Sequence, residues 1–328
     1  MKKDIIETKQ LKKYFPLRKG FLSSILAREE YIAAVDDVSF KIIKGEILGL
    51  VGESGCGKTT LGRTILRLIE PTSGSVYFEG KDIVIADSEE LRSLRLYMQI
   101  IFQDPYDSLN PKTTIFDMIA EPLLIHRKKV RNLKVEEEVI RALRSVDLTP
   151  PEDFIYKFPH ELSGGQRQRV AVARAFILKP KFIVADEPVS MLDVSIRVSI
   201  LDLISKLKKA SQASLLFITH DLTIANYISD RIAVMHLGKI VEIGKADKVT
   251  NDPKHPYTKA LLSAILPLEA KQKKRKILIK GEVFGQKAIS KGCKFYSRCY
   301  SRMKLCEKKE PMLRKVGKEC LVACHFAN

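Results

Sequence analysis

ILGLVGESGCGKTTLGRTILRLI, residues 47–69, decides the fold. Residues 47–51 read as a strand, and the apolar residues of LGRTILRLI recur at helical spacing. Between them, Gly52, Glu53, Ser54, Gly55, Cys56, Gly57, Lys58 and Thr59 fit G-x-x-x-x-G-K-[ST] in the context that pattern requires. Glycines let the backbone wrap a phosphate chain so that successive N–H groups point at it. The N-terminus of the following helix adds a favourable partial positive charge. Lys58 supplies a point charge to the β- and γ-phosphates, and the Thr59 hydroxyl is a hard oxygen ligand for Mg²⁺. Thr60 completes the candidate nucleotide contacts, and the Cys56 thiol, at a variable loop position, is expected to have no role of its own.

Working outward, VSFKII (38–43) is a strand and Lys44-Gly45-Glu46 a tight turn into the next. SVYFE (75–79) is another strand, followed by the turn Gly80-Lys81-Asp82. From 104 to about 178 the signals are helical, broken at Pro105, Pro111, Pro150 and Pro151. Apolar runs at 182–186, 215–219 and 232–236 then suit buried parallel strands. The alternation predicts an α/β nucleotide-binding core with a helical insertion. The run 182–185 ends in Asp186-Glu187, and a carboxylate at a strand's C-terminal end lies over the nucleotide cleft of such a core. Asp186 is the candidate Mg²⁺ anchor and Glu187 the candidate base for the attacking water. Residues 256–266 read as a helix, 271–281 as a basic linker and 16–33 as an early insertion.

Composition excludes several classes. Of 328 residues 45% are hydrophobic and 29% charged, which rules out wholesale disorder, collagen and a pure coiled coil. No apolar run approaches the roughly 18–20 residues of a membrane helix, and the lysines of MKKDIIETKQ precede no apolar core. A cytosolic compartment is expected. The balance of 57 basic against 39 acidic residues suits nucleic acid, anionic lipid or a nucleotide, or only a soluble surface. Cys56 stands alone, whereas Cys293, Cys299, Cys306, Cys320 and Cys324 crowd near the C-terminal end. Their spacing, C-x5-C-x6-C-x13-C-x3-C, matches neither ferredoxin runs nor paired zinc knuckles. It leaves open a soft-metal site or free structural thiols.

Leu162-Ser163-Gly164-Gly165-Gln166-Arg167-Gln168-Arg169, about 20 residues before the Asp-Glu pair, resembles the signature of ABC-transporter ATPases. Gln103 in FQDP, Leu192-Asp193 after DEPVS and His220 in ITHD extend the resemblance over residues 1–250. It implies a P-loop ABC-type core over 1–255, with its helical subdomain at about 104–178 and a small cysteine-rich region at 256–328. Ser163, Gly164, Gly165 and Gln166 would face the γ-phosphate of a nucleotide held by the opposite subunit. Gln103 would touch Mg²⁺ and the attacking water, His220 the γ-phosphate, and Asp193 would lie in the loop coupling the two sites. Met191 departs from the usual small residue before Leu-Asp. Phe15 occupies the adenine-stacking position, with Tyr14 beside it.

YFPLRKGF, IIFQDPYDSLNP, NDPKHPYTKALLSAI and GCKFYSRC…C…P…VACHF narrow the likeness to ATPases of oligopeptide/dipeptide importers, with the early insertion resembling the second ATPase of a pair. That implies a peripheral subunit on the cytoplasmic face of the membrane that binds and hydrolyses ATP to drive import of peptides or related solutes. It implies a second ATPase subunit, two membrane-spanning subunits and an extracellular binding protein, with no direct nucleic acid. It also implies a [4Fe–4S] cluster on Cys293, Cys299, Cys306 and Cys324, zinc being the alternative and Cys320 the spare thiol. The basic residues Lys294, Arg298, Arg302 and Lys304 would moderate its charge. The rival is a soluble ABC ATPase acting on nucleic acid or ribosomes. Against it, only about 105 residues separate Lys58 from Ser163, and the chain holds one cassette.

Overall fold

The computed structural model describes residues 3–17, 30–104, 109–126, 134–265, 291–317 and 319–327. Most of the early insertion, the basic linker 271–281 and residues 105–108 of the sensor stretch lie outside the described residues. The chain divides into two compact units. One comprises Met1–Ile5, Ile43–Glu46 and Ile85–Phe217; the other comprises Ile6–Ile42, Ile47–Val84 and Ile218–Asn328.

The unit that carries the phosphate loop holds an antiparallel sheet of order β2-β1-β4-β5, from β1 (Asp4–Pro16), β2 (Tyr31–Ile43), β4 (Ser73–Phe78) and β5 (Lys81–Asp82). Ile6, Leu11, Val35 and Ile42 are buried in it. The buried hydroxyl of Thr8 on β1 is satisfied by the Phe40 backbone, accepting from N at 3.0 Å and donating to O at 3.4 Å. A second sheet runs through β3 (Ile47–Val51), all of whose residues are buried. β3 lies parallel to β9 (Arg231–His236), with Leu48 opposite Arg231 and Val51 opposite Val234. β9 pairs antiparallel with β10 (Lys239–Lys245), β10 with β12 (Cys320–Val322), and β12 with β11 (Arg314–Val316). The cysteine-rich segment is therefore more than loops: it extends this sheet by two short strands.

That segment also owns an apolar anchor. Phe295 is 1% exposed and packs with Val51, Val234 and Tyr257 in one core cluster. Burying such a ring is worth about 1.5–3 kcal/mol.

In the other unit β6 (Met98–Ile101) runs parallel to β7 (Phe182–Asp186), and β8 (Ser214–Thr219) follows β7 in sheet order. The helical insertion holds α3 (Ile115–Ile125), α4 (Val135–Ser145) and α6 (Gly164–Phe176), with the short α5 (Glu152–Ile155) between the last two. Thr114 caps α3 by accepting from Asp117 N. Arg169 of α6 donates to Val146 O and Asp147 after α4, and to Ser199 of α7 (Val194–Ser211). No helix of the described residues is long and apolar enough to cross a membrane.

Candidate functional site

The phosphate loop is shaped by close backbone approaches that only glycine allows. A Cβ at Gly52 would come 2.2 Å from Met235 O, and at Gly57, where φ is 106°, it would come 1.9 Å from Ala34 O. Lys58 is the first residue of α1 (Lys58–Ile65) and is 5% exposed. Its ammonium donates to Gly52 O at 2.8 Å and Glu53 O at 3.0 Å, so it lies curled over the loop's own carbonyls. Ser54 and Gly55 are exposed, Thr59 and Thr60 half-buried. Cys56 is buried, which pushes its thiol up from the usual range, and its carbonyl accepts from Gly238 N in the β9–β10 turn.

Glu53 is the most heavily tied residue of the loop. Arg298 grips its carboxylate with both prongs, Nη1 to Oε2 at 2.7 Å and Nη2 to Oε1 at 2.8 Å. Glu53 N donates to the Tyr257 hydroxyl at 3.0 Å, and that hydroxyl lies 3.4 Å from Glu53 Oε2. Tyr257 belongs to α10 (Pro256–Ile265), and the turn entering that helix is held by the buried Glu242, which accepts from Lys254 N and His255 N. Of the basic residues expected to moderate charge on the cysteines, two hold carboxylates elsewhere in this unit. Arg298 pairs with Glu53, and Lys294 donates to Asp36 at 2.7 Å. Arg302 stacks over the Tyr296 ring. Sequence reasoning missed Arg298 and Tyr257 as partners of the loop; Tyr257 lies within the HPYTKALL stretch used only for the family likeness.

Of the two aromatic candidates on β1, Tyr14 donates its hydroxyl to Asp36 at 2.7 Å. Burial and that carboxylate together hold the phenol protonated, well above its usual range. The Phe15 ring is 37% exposed, with the Lys13 ammonium 5.0 Å from its centroid. His220 is exposed, directly after β8 and before Asp221, which caps α8 (Leu222–Ile228).

The remaining candidates belong to the other unit. Asp186, 1% exposed, ends β7. Glu187 follows with φ 46°, a left-handed conformation that costs a non-glycine residue about 1–3 kcal/mol. Gln103 Nε2 lies 3.5 Å from Glu187 Oε2. Ser163 and Gln166 form a reciprocal cap on α6: Gln166 N donates to Ser163 Oγ at 3.3 Å, and Ser163 N donates to Gln166 Oε1 at 2.9 Å. Their side chains thus fix the helix end whose first N–H groups belong to Gly164 and Gly165. A Cβ on Gly165 would stand 3.0 Å from Ile196. Asp193 precedes α7 and is exposed, as are Met191, Val194 and Val198. An open groove of about 640 Å³, lined by Ile101, Phe102, Leu109, Ile125 and Arg174 among others, adjoins the strand leading to Gln103.

Four cysteines, Cys293, Cys299, Cys306 and Cys324, line one small pocket together with His255, Phe295 and Phe326. Cys320 does not; it lies in β12 opposite Gly244. Burial raises the Cys293 thiol to about 11, with the other three thiols of the pocket adding to the rise. Among the described residues no three His, Cys, Asp or Glu side chains are gathered tightly enough to hold a single metal ion.

A carboxylate beside a Gln, a phosphate-binding loop with its lysine, and a capped, glycine-opened helix are the parts of a nucleoside-triphosphate hydrolase. Comparison with known proteins agrees. The ABC transporter family matches residues 35–190, and the oligopeptide/dipeptide transporter C-terminal region matches residues 241–306. The oligopeptide transport ATP-binding protein AppF of Bacillus subtilis is 44% identical over 329 positions, covering 98% of this chain and 97% of that one. The dipeptide transport ATP-binding protein DppF of Haemophilus influenzae is 41% identical, covering 96% and 94%. Among solved structures, the dimeric ATP-binding cassette MJ0796 bound to ADP and Pi superposes with a TM-score of 0.63 at 29% identity, covering 74% of this chain and 98% of that one. This chain belongs to the ABC transporter ATP-binding family, in the branch with the oligopeptide/dipeptide C-terminal region, and it is an ATPase.

Proposed function

We propose that this chain energises an ABC importer for peptides or related solutes as a peripheral subunit on the cytoplasmic face of the membrane. The likeness to oligopeptide and dipeptide transport ATP-binding proteins over nearly its whole length carries this reading. Residues 1–255 form the nucleotide-binding domain, with its helical subdomain at about 104–178, and 256–328 the region particular to this branch.

The roles are those the family likeness implies, each with a chemical reading. Gly52 to Thr60 cradle the phosphates, with Lys58 the cation for the β- and γ-phosphates. Phe15 stacks on the adenine, because Tyr14 is engaged with Asp36. Thr59, Gln103 and Asp186, all oxygen donors, would hold Mg²⁺, which supplies neutralisation of phosphate charge. Glu187 accepts a proton from the water that attacks the γ-phosphorus, and Gln103 orients that carboxylate. His220 senses the γ-phosphate. One phosphate loop and one signature helix per chain call for a second ATPase subunit, whose nucleotide would meet Ser163, Gly164, Gly165 and Gln166, with Asp193 between the two sites. The exposed apolar row Met191, Val194, Val198 supports such a partner. The groove by Gln103 suits a segment of a membrane-spanning subunit.

Cys293, Cys299, Cys306 and Cys324 would hold a [4Fe–4S] cluster, which supplies a structural staple to a small region. The soft donor set fits. The four thiols line one pocket, although among the described residues no three such side chains form a single-ion site.

The test is reconstitution with the membrane-spanning subunits and the binding protein in vesicles. Peptide-stimulated ATP hydrolysis with peptide uptake is the expected result. Retention of the chain on nucleic acid at moderate salt, with no response to peptide, would favour the soluble rival instead.

A further inference from the structure

Glu53 presents an unusual problem to a phosphate-binding loop. Its carboxylate lies one residue from Gly52, in a stretch that must receive the charge of a triphosphate. Left unpaired it would repel that charge and let the loop move. Arg298 removes both difficulties: the two-pronged ion pair neutralises the carboxylate and locks its orientation, with the guanidinium side chain only 9% exposed. Tyr257 fixes the same residue through its backbone N–H. Lys58 in turn donates to Gly52 O, the carbonyl of the peptide whose N–H Tyr257 holds, and to Glu53 O, so the residue that Arg298 and Tyr257 hold still also parks the lysine.

Arg298 itself is delivered by the cysteine-rich segment. It ends a short 3-10 turn, Tyr296–Arg298, immediately before Cys299, and Phe295 and the pocket cysteines Cys293 and Cys299 pack in one cluster with Tyr257. His236 lies between, with its ring 4.4 Å from Tyr257 and 5.3 Å from Phe295. A second tie runs from Lys294 to Asp36, the same carboxylate that accepts from Tyr14. The segment therefore reaches the phosphate loop through one ion pair and, through another, Asp36 of β2, which in turn holds Tyr14 next to Phe15 on β1.

We propose that the cysteine-rich segment is a working part of the nucleotide site, with Arg298 as a positioning residue that neutralises Glu53 and sets the phosphate loop for ATP. This rests on the ATP-binding role of the loop, and the two are separable by experiment. Nucleotide affinity then depends on whether the segment is folded, through a contact 245 residues apart in sequence.

The decisive measurement is equilibrium binding of a fluorescent ATP analogue to the full-length chain, with Arg298→Met made in two backgrounds. In the wild-type background Arg298→Met leaves an uncompensated carboxylate at the loop and should weaken binding about tenfold, or about 1.4 kcal/mol. In a Glu53→Gln background no carboxylate is left to neutralise, and the same substitution should weaken binding less than threefold. An equal loss in both backgrounds would mean that Arg298 only supports the fold of its segment, and no loss in either would mean that it does nothing for ATP; both overturn the proposal. Should Arg298→Met fail to fold, Arg298→Lys, which keeps the charge and loses the fork, gives the same comparison with a smaller effect in the first background alone. A wild-type chain that binds no ATP, or a Lys58→Ala variant that binds it undiminished, would instead sink the reading of the loop.

Discussion

Gln103 faces Glu187 with 3.5 Å between amide nitrogen and carboxylate oxygen, at the outer limit of a hydrogen bond. Such a contact can orient the carboxylate. Glu187→Gln should keep ATP affinity within a few-fold and lose at least two to three orders of magnitude in turnover, each factor of ten being about 1.4 kcal/mol. Single-turnover hydrolysis beside equilibrium binding checks both halves. Wild-type turnover in this variant would remove Glu187 as the base. Lys58→Ala should show the opposite pattern, with binding itself impaired.

Ser163 and Gln166 cap the signature helix reciprocally. Replacing Ser163 by Arg removes a cap worth about 1 kcal/mol and fills the mouth of that helix end with a large side chain. ATP binding by the isolated subunit should survive nearly intact, while ATP-dependent association with the partner subunit is abolished. Sedimentation of the pair with ATP in the Glu187→Gln background reads this directly. Undisturbed association in Ser163→Arg would contradict a shared site.

The pocket composition separates the five clustered cysteines. Anaerobically purified protein should be brown, with about four iron per chain. Cys293→Ser should bleach it, whereas Cys320→Ser, in a strand opposite Gly244, should keep the colour. Colourless protein with one stoichiometric zinc would establish the zinc alternative, and metal-free protein with an ordered segment would eliminate the site.

His236 and His255 are buried beside Phe295, and burial pushes both from 6.5 to about 3. Arg298 and Lys294 lower His236 further, while Glu53 Oε2 lies 4.0 Å from its Nδ1. Among the described residues neither ring nitrogen of His236 has a hydrogen-bond partner. The folded chain thus resists protons that the unfolded chain takes up between pH about 6.5 and about 3. Stability from these groups is complete above pH 6.5 and falls as the pH drops through that window, by up to about 1.4 kcal/mol per pH unit for each histidine. Melting curves between pH 7.5 and 5 should show this, and His236→Phe should flatten the slope. An unchanged slope would assign the acid sensitivity elsewhere.

What could be read in advance was local. The strand, loop and helix around Lys58 lie within about 20 residues, and the β7 run ending at Asp186 is short, apolar and continuous, so each announces itself by pattern. The three-residue strands β11 and β12 are too short to show any periodicity, and only pairing with β10 defines them. The ion pair between Arg298 and Glu53 was illegible for a different reason. A basic residue among cysteines has an obvious nearby role, and nothing in its neighbours names a carboxylate 245 positions away. Tyr14 and Phe15 differ only in the hydroxyl, and the presence of Asp36 beside one of them is a tertiary fact.

The distance along the chain between Glu53 and Arg298 also sets an order of events during synthesis. A ribosome adding about 5–20 residues per second needs roughly 12–50 seconds to travel from one to the other. Throughout that interval the phosphate-binding stretch exists with its carboxylate uncompensated and Tyr257 or Arg298 still unmade. A polypeptide released early, short of the cysteine-rich segment, would carry every ATPase motif and still lack the cation that completes the loop. Premature termination would therefore yield a poor nucleotide binder.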